Sequence, residues 1–353
     1  MRHSVIVMSL RLDDLERGLN LDIRQLPESE VLFFTGAGIS AASPTDFPLG
    51  DEFHNLILQY YTGLKCREIT KLIESRKFTF EQTCQVISDE YKKLSEDPIR
   101  NPVFLLLSAI FQHYEGRLEN DYHKYFRTHL NKGGKHCTVN LDQFIELDRI
   151  SQFSKDPQVN YQIFTAQRAA EDYFNYKGFQ HSSYLFKLHG DVNEDYVNNQ
   201  GFLYEIIKNG FPAATKSFLE LTLGSNRLVI FIGYGGVDKF DIIPFFKEKR
   251  DKYFVTTKAL WIDYSKEKDI VAKEINEMEK NQRLVLSKFA GCRLVKCSPE
   301  VVLNQLFQGQ TQIQNAHRAS LSYSDVYERV FSQNSHLLKS NISERLTKIF
   351  RLN

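Results

Sequence analysis

Paired cysteines, an excess of either charge and long apolar runs are all missing from this chain of 353 residues. Its five cysteines, Cys66, Cys84, Cys137, Cys292 and Cys297, form no C-x-x-C pair. That argues against a zinc ribbon and against a disulfide scaffold, and it fits a reducing cytoplasm. With 45 basic and 44 acidic side chains and a formal net charge of +1, no broad electrostatic footprint for nucleic acid or membrane is expected. The longest greasy stretch, Val103 to Phe111, is too short to span a bilayer. At the N-terminus Val5-Ile6-Val7-Met8 is followed by Asp13-Asp14, too short and too acidic for a signal peptide. There is no internal repeat, no low-complexity segment and no Gly-Lys-Ser/Thr phosphate loop. A soluble, cytoplasmic, globular protein is expected, long enough for one large domain with an insertion or for two domains.

What is present centres on residues 31–47. Four apolar β-formers, Val31 to Phe34, run into Gly36-Ala37-Gly38 and then small residues. A short all-apolar run ended by glycines predicts a buried parallel strand meeting a ligand-binding turn. The spacing Gly36-x-Gly38-x-x-Ala41 fits the small-residue variant of the dinucleotide fingerprint, in which backbone approaches a pyrophosphate at a helix N-terminus.

The rest of the chain divides by pattern. Residues 1–30 place Leu10, Leu12, Leu15 and Leu19 among charges, an N-terminal arm that either covers a sheet edge or mediates assembly. Residues 50–131 carry helical spacings, for example Phe53, Leu56, Ile57 and Tyr60, then Phe80, Cys84, Ile87, Tyr91 and Leu94, and predict a helical insertion. Val103–Phe111 predicts a third helix and Tyr122, Tyr125, Phe126 and Leu130 a fourth. Strand-and-helix alternation then returns over 132–299, with strands at His136–Asn140, Tyr184–Leu188, Arg227–Ile232, Ala259–Ile262 and Arg293–Val295. Counting Val31–Phe34, the expectation is an α/β, Rossmann-like, doubly wound parallel sheet of about six strands formed by 31–49 and 132–299. Residues 300–353 predict C-terminal helices, whose apolar pairs Val326/Val330 and Tyr327/Phe331 need covering.

Polar groups collect just past the carboxyl ends of these strands, where open α/β sheets bind ligands. In chain order they are Gly36-Ala37-Gly38-Ile39-Ser40, Asn140-Leu141-Asp142, His189-Gly190 and Gly233-Tyr234-Gly235. In these motifs and their order the chain resembles the sirtuin family, whose catalytic domain carries G-A-G-I-S, T-Q-N-I-D, H-G and a glycine turn at the adenosine site. Here the second motif reads Thr138-Val139-Asn140-Leu141-Asp142.

The resemblance implies NAD as substrate; without a cysteine quartet no metal is expected. It implies that Gly36, Ala37, Gly38 and Ser40 lie against the pyrophosphate and that Asp46-Phe47 lies near nicotinamide. Asn140 and Asp142 would hold the nicotinamide ribose and a water, and His189 would act as general base. Gly233 and Tyr234 would border the adenosine, with Asp263 near its ribose. The chemistry asks for such groups: loss of nicotinamide leaves an oxocarbenium-like sugar that needs aimed polar groups, a fixed nucleophile and a base titrating near neutrality.

Three departures narrow the expectation. The four zinc cysteines of sirtuin deacylases are missing, and Pro48 stands where they carry an arginine after Asp-Phe. Gly201-Phe202-Leu203-Tyr204-Glu205 also replaces their peptide-pairing strand. What this implies is NAD cleavage with water as acceptor, as in the bacterial defence-associated sirtuins, which deplete the cofactor after phage infection. A protein deacylase or ADP-ribosyltransferase, and a non-catalytic sensor of NAD or ADP-ribose, stand as alternatives. Because an unrestrained NAD hydrolase poisons its own cell, the resemblance also implies control by homo-oligomerisation or by a separate partner such as a HerA-type ATPase.

Bland readings stand beside these. His189 is also readable as a core histidine, Asn140 as a strand-end cap and Asp142 as a helix cap. Tyr234 is equally readable as a packing aromatic, and Asp46 and Phe47 as residues that only order a loop. His113, His123 and His129, at helical spacings among charges, are expected on the solvated surface with no coherent metal set.

Overall fold

The computed structural model describes residues 12–64, 68–69, 79–94, 106, 110, 119–146, 161–165, 183–191, 210–264, 272–306, 313 and 342–352. The expected third helix at Val103–Phe111, His113, Gly201–Glu205 and the apolar pairs at 326–331 lie wholly or mostly outside them.

Seven strands form one all-parallel sheet: β1 (Val31–Thr35), β2 (Lys135–Thr138), β3 (Tyr161–Thr165), β4 (Ser183–Lys187), β5 (Leu228–Ile232), β6 (Phe254–Asp263) and β7 (Phe289–Lys296). Their order across the sheet is β3-β4-β2-β1-β5-β6-β7. β1 and β5 are buried at every residue, as a central parallel strand covered on both faces must be. The count is seven rather than six because β3 sits at an edge, where Gln162 and Ile163 are only half buried and the apolar signal is correspondingly thin. After β4 the chain crosses over β2 and β1 to place β5 on the far side of β1. The direction of winding therefore reverses beside β1, the position at which doubly wound sheets open a ligand crevice.

Helices cover both faces. On one, α5 (Ala213–Gly224), α6 (Ile242–Lys247) and α7 (Ala272–Leu286) close a cluster of Phe34, Phe186, Phe218, Phe231, Phe246 and Trp261. On the other, α1 (Leu12–Leu19), α4 (Asp121–Asn131) and α8 (Pro299–Leu306) close over Phe33, Leu185, Ile230 and Leu260. Successive residues of one strand thus feed opposite cores, as the two-residue period requires. Leu15 and Leu19 bring α1 against edge strand β7.

A third apolar cluster joins α2 (Gly50–Thr62), α3 (Phe80–Leu94) and α9 (Ile342–Leu352). Leu346 and Phe350 of α9 are buried there. The Thr347 hydroxyl donates to the Thr62 carbonyl at 2.9 Å, and Arg345 pairs with Glu90 at 3.2 Å. The C-terminal helix so packs on the helical layer, whereas α8 packs on the sheet. Among the described residues no helix is long and apolar enough to cross a membrane.

Candidate active site

Strand register brings the sequence motifs onto one edge. Thr35 pairs with both Thr138 and Ile232, Thr138 with Lys187, and Ile232 with Ile262. The residues that follow these positions are Gly36, Val139-Asn140, Leu188-His189, Gly233 and Asp263. Five strands deliver their polar ends side by side.

The loops after β1 and β5 are locked together by backbone alone. The Gly38 amide donates to the Gly233 carbonyl at 2.9 Å. A Cβ on Gly36 would stand 2.8 Å from that carbonyl oxygen, and one on Gly38 2.9 Å from the Gly233 Cα. Gly233 itself sits at φ +63° with the Ile39 amide nitrogen 2.7 Å from where a Cβ would be. The close approach these glycines permit is between two protein loops. Within the turn the Ile39 and Ser40 amides donate to the Gly36 and Ala37 carbonyls, so the turn is shaped before any ligand arrives.

From Ser40 the chain curls back on itself: the Phe47 amide donates to the Ser40 carbonyl at 2.9 Å, and Asp46, buried, takes φ +48°. An aspartate tolerates that left-handed region better than most residues. The Phe47 ring is buried between Phe53 and Phe144, in the apolar cluster of the helical layer.

Ser40, Asn140 and Asp142 form the centre of the site. The Ser40 hydroxyl donates to Asp142 Oδ2 at 2.8 Å and accepts from Asn140 Nδ2 at 3.1 Å. It also lies 3.1 Å from His123 Nε2. The other Asp142 oxygen accepts from the Phe144 amide at 3.3 Å, the contact by which an aspartate orders the turn that follows it. Burial raises the Asp142 pKa, against the opposing charge of Lys187. Asn140 Oδ1 is buried and meets no hydrogen-bond donor among the described residues.

His189 completes the edge. Its Nε2 lies 2.7 Å from Asp241 Oδ2, and Asp241 holds the start of α6 by accepting from the Ile242 amide. The His189 side chain retains 14% exposure against 5% for Asp241. The segment from Gly233 to Asp241 therefore runs from the end of β5 back toward the end of β4. Asp238 joins His189 and Asp241 with ligand atoms all within 4.8 Å of one another, a grouping able to receive a divalent cation. Tyr234 is buried against Phe34 and Trp261, which makes it a packing residue whatever else it touches. Asp263, half exposed, ends β6.

Below this edge Lys187, wholly buried, bonds the Asp142 carbonyl at 2.7 Å, Glu146 at 2.5 Å and Asp191 at 2.8 Å. Burial works to lower its pKa, but the Glu146 and Asp191 charges outweigh it and the ammonium is held above its ordinary value. Glu146 is pushed up to about 7 by burial.

Surface positions were expected for His123 and His129, and both are fully buried instead. Helix α4 turns them inward because each finds a polar partner in the core: Ser40 for His123, and for His129 the Val31 carbonyl at 3.2 Å. His123 also stacks on Phe144, centroids 5.0 Å apart. Asn120, the cap of α4, clips the glycine loop by donating to the Ile39 and Ala42 carbonyls at 2.8 and 3.2 Å. Sequence reading missed His123, Asn120, Lys187 and Asp241. The one available signal was Asn120 ahead of a helical pattern, which marks a cap.

No protein-family model matches the chain, and no curated protein matches it significantly.

Proposed function

We propose that this protein is an NAD⁺ glycohydrolase, releasing nicotinamide and ADP-ribose with water as acceptor. The observation that carries the reading is the buried carbonyl oxygen of Asn140, unpaired among the described residues, on the same edge as the His189–Asp241 pair. An acceptor left unpaired in the interior costs about 1–3 kcal/mol, so it favours a ligand that brings a donor. A ribose hydroxyl or an attacking water supplies one.

In this reading the C1′–N bond breaks, nicotinamide leaves with the bonding pair, and positive charge develops on the ribose. Asn140 Oδ1 and the carboxylate of Asp142 face that charge. Water adds to C1′ and gives its proton to His189, whose ring Asp241 orients. The resemblance to the sirtuin motifs supports this choice of substrate. The missing zinc cysteines favour water over an acyl-lysine acceptor. Such an enzyme needs restraint, which we assign to self-assembly or to a separate partner, a HerA-type ATPase being one candidate.

The test is to incubate the purified protein with NAD, alone and with any co-purifying partner, and to quantify nicotinamide and ADP-ribose. Asn140→Ala and His189→Ala should each abolish turnover while NAD still binds. No product from the wild type in either state, or full turnover by both variants, overturns the proposal.

A further inference from the structure

The environment of Ser40 has a hydrogen-bond count that can be closed. A hydroxyl has one proton to donate and two lone pairs. The proton goes to Asp142 Oδ2 and one lone pair takes Asn140 Nδ2. The tautomer of His123 decides the rest. Its Nδ1 lies 3.3 Å from the Asn120 amide and accepts from it, so in the neutral ring the proton sits on Nε2. Burial holds the ring neutral, lowering its pKa to about 3. His123 Nε2–H therefore donates to the second lone pair of Ser40, 3.1 Å away. Every bonding direction of this hydroxyl is used inside the protein, and its amide is committed to the Ala37 carbonyl.

We infer that His123 and Ser40 are positioning residues for the amide of Asn140. With Nδ2 tied to Ser40, the amide cannot turn over, and Oδ1 is the atom presented to a ligand. The chain of contacts runs Asn120 amide, His123 Nδ1, His123 Nε2, Ser40 Oγ, Asn140 Nδ2. It starts at the cap of α4, which itself clips the glycine loop. One rigid element thereby fixes the loop after β1 and the amide after β2 together. The ligand class follows: a hydrogen-bond donor such as a sugar hydroxyl or water, and not an anion.

This inference rests on the NAD-cleavage reading for its kinetic test, and a second readout is independent of it. His123→Phe keeps the stack on Phe144 but removes the donor; Ser40→Ala removes the hub; His123→Gln restores an amide donor at the Nε2 position. In the first two, kcat should fall about 10²-fold, the cost of misplacing a reacting group by roughly 1 Å. KM for NAD should change less than about threefold, as expected for an interaction made chiefly in the transition state. His123→Gln should recover most of the loss. Independently of turnover, long-range ¹⁵N NMR of the wild type at pH 7 should show Nδ1 bare and Nε2 protonated. Side-chain amide exchange of Asn140 should be slow in the wild type and fast in Ser40→Ala. Wild-type kcat in both His123→Phe and Ser40→Ala, a proton on Nδ1, or unprotected Asn140 exchange in the wild type refutes the inference. A wild type inert toward NAD but with the expected nitrogen and exchange patterns refutes the NAD reading and leaves the positioning intact.

Discussion

Acid should unfold this protein by way of its buried histidines. His54, His123, His129 and His136 are all buried, and burial lowers each pKa below the ordinary value: His54 and His129 to about 4, His123 to about 3, and His136 well below its ordinary value. A group whose folded pKa is depressed contributes stability that is present above its unfolded pKa and lost as pH falls toward the folded one. The window here opens near pH 6.5 and extends to about pH 4. Between pH 7 and 5 His54, His123 and His129 each forfeit about 2 kcal/mol, roughly 5–6 kcal/mol for the three, and His136 adds to the loss in the same direction. Glu146 opposes them: raised to about 7 by burial, it favours the folded state as pH falls and returns roughly 2 kcal/mol over the same range. Asp142, also raised by burial, acts in the same direction as Glu146; the three histidines less Glu146 leave a net loss of roughly 3–4 kcal/mol, a large fraction of the stability of an ordinary domain. Urea unfolding followed by circular dichroism at half-unit steps from pH 7.5 to 5 measures it. His129→Gln, which removes one titration, should lower the slope near pH 5 by roughly 1.4 kcal/mol per pH unit. Stability that is flat or rising toward pH 5, or a slope unchanged in His129→Gln, would refute the reasoning.

Two further substitutions test the packing beneath the site. Lys187→Met leaves Glu146 and Asp191 facing one another without their cation and should cost about 3–5 kcal/mol in urea unfolding at pH 8. Adding Glu146→Met should recover a large part of that, and a double variant no more stable than the single one would show that the pair is not the cause. Gly233→Ala meets both a positive φ and the Ile39 backbone, so it should lose more than the ~1–2 kcal/mol of a left-handed residue alone, and NAD turnover with it. Gly235→Ala, whose nearest neighbour is the flexible end of Met278 at 3.4 Å, should be tolerated; equal effects at the two positions would contradict the interlocked-loop account.

How legible the protein was depended on where each signal came from. β1 and β5 announce themselves because a strand buried on both faces must be apolar at every position, as Val31–Phe34 and Leu228–Ile232 are. The strand-end motifs were legible because glycines and polar residues after such runs stand out locally. β2 was harder. Lys135, His136 and Thr138 are polar yet buried, with His136 Nε2 meeting Thr35 Oγ1 at 2.7 Å across the strand pair. β3, with Gln162 in a half-buried edge strand, offered too little contrast. His123 and Asp241 were invisible for a different reason. Their partners, Ser40 and His189, lie 83 and 52 residues away, and no local pattern tells a buried, satisfied histidine from a solvated one.

That distinction bears on how the site would work. A polar group costs free energy to bury unless it is paired, and here nearly every buried polar atom at the strand ends is paired: Ser40 on all sides, Asp142 on both oxygens, Lys187 with two carboxylates and a carbonyl. Against that background the bare oxygen of Asn140, which meets no donor among the described residues, is informative, since the network satisfies the same amide on its nitrogen side. His189 differs in being partly open to solvent. In the proposed reaction this gives a direction. The sugar is held from the dry side by groups that cannot reorient, and water, with the proton it sheds, comes and goes on the side of His189. A variant that loosened Asp241 alone should then slow proton removal and alter the pH profile of kcat. It should leave the Asn140 amide protected from exchange, because nothing in the Asn120–His123–Ser40 chain depends on that carboxylate.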